Sequence, residues 1–140
     1  MQYNSYMSED SIFTKIINGE IPAHKIYEDK RVIAFLDINP ITPGHTLVIP
    51  KQQIESIWNL DSDTYEYLKK IVHTIADRQK EVLNPKRVGM LLDGFGVPHA
   101  HVHVLPLDGG LESSIARHLA SGFKEPDHAA LEQMANRLKF

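Results

Sequence analysis

The 140-residue chain contains no cysteine, which excludes disulfides and thiolate-held zinc. That absence suits a reducing compartment, and a cytoplasmic protein is expected. Long apolar runs are also missing. The longest, Val32 to Leu36, is far too short to span a bilayer, so no membrane span is expected. Met1 to Asp10 is polar and ends acidic, without the basic and apolar regions of a secretory signal, and reads as a flexible tail, residues 1–10. Basic charge is not in excess either: 15 Lys and Arg against 18 Asp and Glu leave a formal charge of −3. This argues against nucleic acid as a partner, because polyanions are held by clustered cations. Small anionic ligands, which need only a local positive site, stay open.

What the chain does have is histidine, and three of its eight are concentrated in His99, His101 and His103. Ala100, Val102 and Val104 alternate with them, a period of two that fits a half-buried strand with all three imidazoles on one face. Successive same-face residues lie about 6.6 Å apart and the outer pair about 13 Å. One metal ion cannot easily gather all three, whereas an extended anion such as a phosphate chain can face the row. Histidine titrates near neutrality, and a neutral imidazole is a good nucleophile toward phosphorus. In such chemistry His101 would present one ring nitrogen to phosphorus while the other donates to a fixed acceptor, for example a backbone carbonyl. His99 and His103 would orient it, bind phosphate oxygens or protonate the leaving group. A zinc ion held by two neighbouring histidines is an open alternative, although no carboxylate or cysteine at ligand spacing completes that site. His73, His118 and His128 read as surface residues, and His24 has no evident partner.

The elements around the row follow from periodicity and punctuation. Asp10 or Ser11 caps a short helix with Ile12, Phe13, Ile16 and Ile17 on its apolar side, stopped by Asn18-Gly19. Lys25 to Glu28 and Arg31 to Leu36 form a hairpin turning at Asp29-Lys30. A loop shaped by Pro40, Pro43 and Gly44 leads into a strand from His45 to Ile49. Asp61 caps the longest helix, whose Tyr65, Leu68, Val72, Ile75, Ala76 and Val82 recur at helical spacing until Asn84-Pro85. Val88 to Leu92 is a strand, joined to the histidine segment by a short loop containing Gly94 and Gly96, and two short helices follow, Leu111 to Leu119 and Asp127 to Leu138. The order implies an α+β domain with a five-stranded antiparallel sheet, one long helix and several short ones. Residues 11–110 are expected to form its main body and 111–140 a helical extension of the same domain.

The histidine segment, together with Ile12-Phe13, Asn18 to Ala23, Phe35 to Ile38 and Pro43 to Lys51, resembles the histidine triad (HIT) nucleotide-binding proteins from about Ser11 to Pro106. The resemblance implies an α+β homodimer that binds a purine nucleotide derivative. It further implies cleavage of a nucleoside 5′-monophosphate from a phosphoramidate or dinucleoside polyphosphate through a nucleotidyl-histidine intermediate on His101. His99, His103 and His45 look like its supporting histidines, and Asp37 like the acid that holds the ribose hydroxyls. Ile12, Phe13, Ile16, Phe35, Leu36 and Ile38 look like the pocket for the base. No metal cofactor is required by this chemistry; magnesium would arrive only with a polyphosphate substrate. The loop before the triad departs from the family pattern. Asp93 stands at an Asn-like position, Phe95 replaces a Gln, and Gly96 replaces a hydroxyl residue. Backbone N–H groups of Phe95, Gly96 and Val97 could hold phosphate there, and Asp93 would repel it unless it turns away or meets a cationic leaving group. Gln53 stands where some members carry another histidine. The alternatives are a purine-nucleotide sensor without turnover and the histidine-ligated metal protein.

Overall fold

The computed structural model describes residues 9–140; most of the expected N-terminal tail, residues 1–8, lies outside the described residues. Ser11 caps helix α1 (Ile12–Ile17) by accepting the Thr14 N–H on its side chain, and the chain leaves α1 through Asn18 and Gly19, the glycine at φ +79°. Strands β1 (Lys25–Glu28) and β2 (Val32–Leu36) form the first hairpin. Asp29 closes its turn by accepting the N–H groups of Arg31 and Val32, while Tyr27 and Tyr67 both donate to its other oxygen. β3 (Thr46–Pro50) follows the proline loop, and a short 3₁₀ turn (Ile57–Asn59) precedes α2 (Ser62–Leu83). Asp61 caps α2 through the Thr64 N–H, and Asn84 ends it in the left-handed conformation at φ 50°. After β4 (Arg87–Leu91) and β5 (Val102–Leu107) come α3 (Leu111–Ala120) and α4 (His128–Leu138).

All four strand pairings are antiparallel, in the order β1-β2-β3-β5-β4. Strand alternation sorts the apolar residues into two layers. Val32, Ala34, Leu36, Val48, Val102 and Val104 face α2, where Leu68, Ile71, Val72 and Ile75 complete the larger core. Ile33, Phe35, Leu47 and Ile49 face the other way and pack with Phe13 and Ile16 of α1. The C-terminal segment joins the first layer: Leu131, Ala135 and Leu138 of α4 are buried in the α2 core, and the Phe140 N–H donates to the Ile26 carbonyl of β1. Gln79 of α2 is fully buried, and its amide nitrogen donates to the Gly44 carbonyl, the Thr46 hydroxyl and the Val104 carbonyl, tying the helix to both β3 and β5.

The expected histidine strand begins later than its pattern suggested. The ladder starts at Val102, because His99 and His101 precede the β3 pairing and the Ala100 N–H goes instead to the Ile54 carbonyl. The alternation nonetheless continues, with Ala100 in the α2 core and Phe13 meeting the rings of both His99 and His101 edge-on.

Candidate active site

Backbone groups assign the proton positions on all four central histidines, because a carbonyl only accepts and an amide N–H only donates. His101 Nδ1 lies 2.7 Å from the His99 carbonyl oxygen, so Nδ1 carries the hydrogen and Nε2 the lone pair. His99 is wholly buried; its Nε2–H donates to the Pro50 carbonyl at 2.8 Å, and its Nδ1 accepts from the Ser11 hydroxyl at 2.8 Å. His45 accepts the Ile41 N–H on Nδ1 at 3.1 Å, which leaves its proton on Nε2 to donate to His103 Nδ1 at 2.9 Å. His103 then keeps its own proton on Nε2. Burial is the main cause favouring the neutral form of His45, His99 and His103: it pushes His45 down to about 3 and lowers His99 and His103.

His101 and His103, ring centroids 5.2 Å apart, both line a cavity of about 320 Å³. Ile12, Phe13, Ile16, Phe35, Leu36, Asp37 and Ile38 line it together with Ile21, Pro22, Ala23, Leu47 and Val97, whereas Asp93, Phe95 and Gly96 are not among its lining residues. Leu36 borders this space, but its side chain belongs to the α2 core because it alternates with Phe35. Ile12 and Ile38 are half exposed at the rim. Burial raises the pKa of Asp37, opposed by the Asn39 N–H at its Oδ1 and by His103, His118 and His101. Its Oδ2 lies 3.7 Å from His45 Nε2. A larger cavity of about 530 Å³ between α3 and α4 contains none of the histidines.

Several site assignments change in three dimensions. His99 does not reach the cavity: both ring nitrogens are occupied, and its contribution to His101 is its backbone carbonyl, which makes it a positioning residue rather than a proton donor or phosphate ligand. The Phe95 N–H is already taken by Asp93 Oδ1 at 3.1 Å, which leaves Gly96 and Val97 as the backbone donors of that loop. Contrary to the sequence reading, a carboxylate does approach ligand spacing: Asp37, His45 and His103 bring donor atoms within 4.8 Å of one another. A metal on His45 Nε2 would force the proton to Nδ1, against the Ile41 N–H, so this donor set suits a proton-bearing hydrogen-bond chain better than an ion. His118, read as a surface residue, is half buried and close enough to act electrostatically on Asp37 and His45. His73 is exposed, as expected, whereas His24 finds a partner in His128 at 2.9 Å. Sequence reasoning missed the anchoring group of Ser11, Thr14 and Gln53: Thr14 donates to Gln53 Oε1, which also accepts the Ser11 N–H at 2.9 Å. The signal available was only that two hydroxyls three residues apart shared the helix start.

A HIT domain model matches residues 18–110. The chain belongs to the HIT family. An uncharacterized HIT-like protein of Borreliella burgdorferi is 44% identical over 104 residues, covering 69% of this chain and 75% of that protein. Among solved structures, a hypothetical histidine triad nucleotide-binding protein from Sulfolobus tokodaii superposes with TM-score 0.77 at 29% identity, over 91% of this HIT protein and 88% of its counterpart. A HIT family hydrolase from Clostridium thermocellum gives TM-score 0.63 at 34% identity, over 73% and 95%. The family's α+β fold with a five-stranded antiparallel sheet is therefore the fold of this chain.

Proposed function

We propose that this HIT protein is a nucleotide hydrolase or nucleotidyl transferase that releases a nucleoside 5′-monophosphate through a covalent intermediate on His101. The observation that carries this reading is the His101 tautomer. With Nδ1–H held by the His99 carbonyl, the Nε2 lone pair is available beside a cavity with an apolar end for a base and a carboxylate, Asp37, for ribose hydroxyls. In the first step His101 Nε2 bonds to phosphorus, and the bond to the leaving group breaks with its electron pair on the departing atom, which takes a proton from water. In this reading His103 Nε2–H donates to a phosphoryl oxygen, and the His45 hydrogen bond orients that ring. In the second step water attacks phosphorus and gives up a proton to the solvent, replacing the one drawn in the first step, the bond to His101 breaks with its electron pair on Nε2, and the neutral imidazole returns. The chemistry calls for no resident metal, and magnesium enters only as the companion of a polyphosphate substrate.

The similarity to the Clostridium thermocellum HIT family hydrolase supports the reaction class, and that to the hypothetical histidine triad nucleotide-binding protein of Sulfolobus tokodaii supports a nucleotide ligand. The same reading includes a second copy of the chain. The β1 edge is met by Phe140, whereas the β4 edge presents exposed Met90 beside an apolar groove of about 480 Å³ between α2 and the sheet. Antiparallel pairing of two β4 edges would cover it, and light scattering of wild type and Met90→Glu would test this.

The deciding experiment measures AMP release from adenosine phosphoramidate by wild type and His101→Ala. Release should fall at least about a thousandfold in the variant, and a wild-type adduct on His101 should be trapped by acid quench and mass spectrometry. AMP binding without release or adduct would replace the enzyme with the sensor.

A further inference from the structure

The cavity of about 530 Å³ lies apart from the histidines, in the seam where α3 and α4 meet the loop before β3 and the end of α2. Its walls divide by chemistry. Leu83, Pro85, Pro106 and Met134 make an apolar side, whereas Arg117 of α3 and Arg137 of α4 bring guanidinium groups from two separate helices. Each arginine spends one nitrogen on the protein: Arg117 donates to the Ser114 hydroxyl at 3.5 Å, and Arg137 to the Val82 carbonyl at 3.3 Å. Neither pairs with a carboxylate among the described residues, so both keep their charge and most of their N–H donors unspent. Asp108 is the one acid in the lining; it is exposed, and its Oδ1 is engaged by the Lys86 N–H at 3.0 Å. Cations therefore outnumber anions around this space. A second observation points the same way. The Thr42 hydroxyl, part of the same lining, is buried and has no hydrogen-bond partner among the described residues, a state that native interiors leave to few groups.

We propose that this cavity is a second ligand site, which takes a phosphate monoester on an apolar, ring-sized body. Two guanidinium groups and one hydroxyl match the three terminal oxygens of such a phosphate, and its charge of roughly −2 answers both arginines. A carboxylate offers one oxygen and one charge fewer. The apolar side takes the organic body, and a volume of this size falls in the range of small-molecule sites. Arg117, Met134 and Arg137 lie beyond residues 18–110, which the HIT model matches, so the arginine half of the site is built by the helical extension. The site stands independently of the nucleotidyl-transfer reading. It does touch the same loop: the Thr42 carbonyl accepts the His45 N–H at 3.0 Å, so the ligand would rest on the segment that positions His45.

The test follows the Met134 methyl group by NMR in the intact protein with isotope-labelled methionine methyls. Met134→Leu assigns the signal, and Met90 on β4, outside this cavity, serves as the internal reference. Phenyl phosphate should shift Met134 saturably and leave Met90 in place, benzoate should bind about fivefold more weakly, and phenol should not bind detectably. Arg117→Gln and Arg137→Gln should each weaken phenyl phosphate about tenfold. Thr42→Val should weaken it about threefold without lowering the urea midpoint, because the hydroxyl it removes has no partner in the free protein. An unmoved Met134, benzoate or phenol binding as tightly as phenyl phosphate, or variants with unchanged affinity would overturn the proposal. The comparison of the three ligands on wild type decides the matter even where a variant folds poorly.

Discussion

Two loops flank the histidine row, and they are built on opposite principles. Between Asp37 and His45, backbone N–H groups are answered from within, although the buried Thr42 hydroxyl has no partner among the described residues: Asn39 N–H by Asp37, Ile41 N–H by His45 Nδ1, His45 N–H by the Thr42 carbonyl, and Asp37 N–H by the His45 carbonyl. Between Asp93 and Pro98, the Phe95 N–H donates to Asp93 Oδ1 and the Val97 carbonyl accepts the His99 N–H, a Cβ at Gly94 or Gly96 would meet nothing within 4 Å, and Phe95 stands in solvent. The first loop sets a geometry before any ligand arrives; the second leaves room for variable groups. In the proposed reaction, a site with one fixed and one loose loop can keep one chemistry while changing its range of substrates.

The sharpest way to break this contrast is one substitution made in both loops. Gly44 has φ +93°, and a Cβ there would lie 2.7 Å from Leu83 Cδ1 and 3.1 Å from Pro106 Cγ. Gly44→Ala combines left-handed strain with overpacking and should cost about 3 kcal/mol or more in urea denaturation. Next in size is acid sensitivity on the fixed side. His45 stays neutral down to about 3 when folded, so between that value and the ordinary histidine pKa of about 6.5 the unfolded chain binds the extra proton and stability rises with pH. From pH 7 to 5 this group alone should remove about 2 kcal/mol. Asp37, whose carboxyl is pushed up, works in the opposite sense while it takes up its proton in the fold. Equal urea midpoints at the two pH values would refute the assignment of His45 as the dominant neutral group. Asp37→Asn should lower kcat/KM about tenfold for ribonucleotide substrates, and less for 2′-deoxy substrates that have one hydroxyl fewer to hold. The smallest effect belongs to the loose side: Gly94→Ala or Gly96→Ala should cost about 1 kcal/mol, because only backbone strain is added. If these equal the Gly44 value, the two loops are not built differently.

Much of this was legible in the sequence where a signal is local. The Ser11 and Asp61 caps, the Asn84 stop and the hairpin at Asp29 are short-range chemistry, and the alternation from Ala100 to Val104 correctly separated the histidine face from the core. What escaped depends on segments distant in sequence. Gln53 reaches Ser11 and Thr14 across 42 and 39 residues, and no period in either segment announces that meeting. His118 sits on a surface-like helix whose approach to Asp37 is decided by how α3 docks. His99 and His101 occupy equivalent places in the alternation, yet one ring is consumed by Ser11 and Pro50 while the other keeps a free lone pair. Their identical pattern hid different roles because the pattern specifies a face, not what lies across from it.

The buried amide of Gln79 acts as a proofreader of strand alignment. Two of its acceptors, Gly44 and Thr46, lie together at the start of β3, and the third, Val104, lies on β5, far along the chain and brought to them by the β3–β5 pairing. A slip by one residue would strand the amide in an apolar core with its donors unmet, a penalty of about 1–3 kcal/mol beyond the misplaced side chains. The two histidines that must meet, His45 at the head of β3 and His103 on β5, are thereby kept in step by a residue that touches neither.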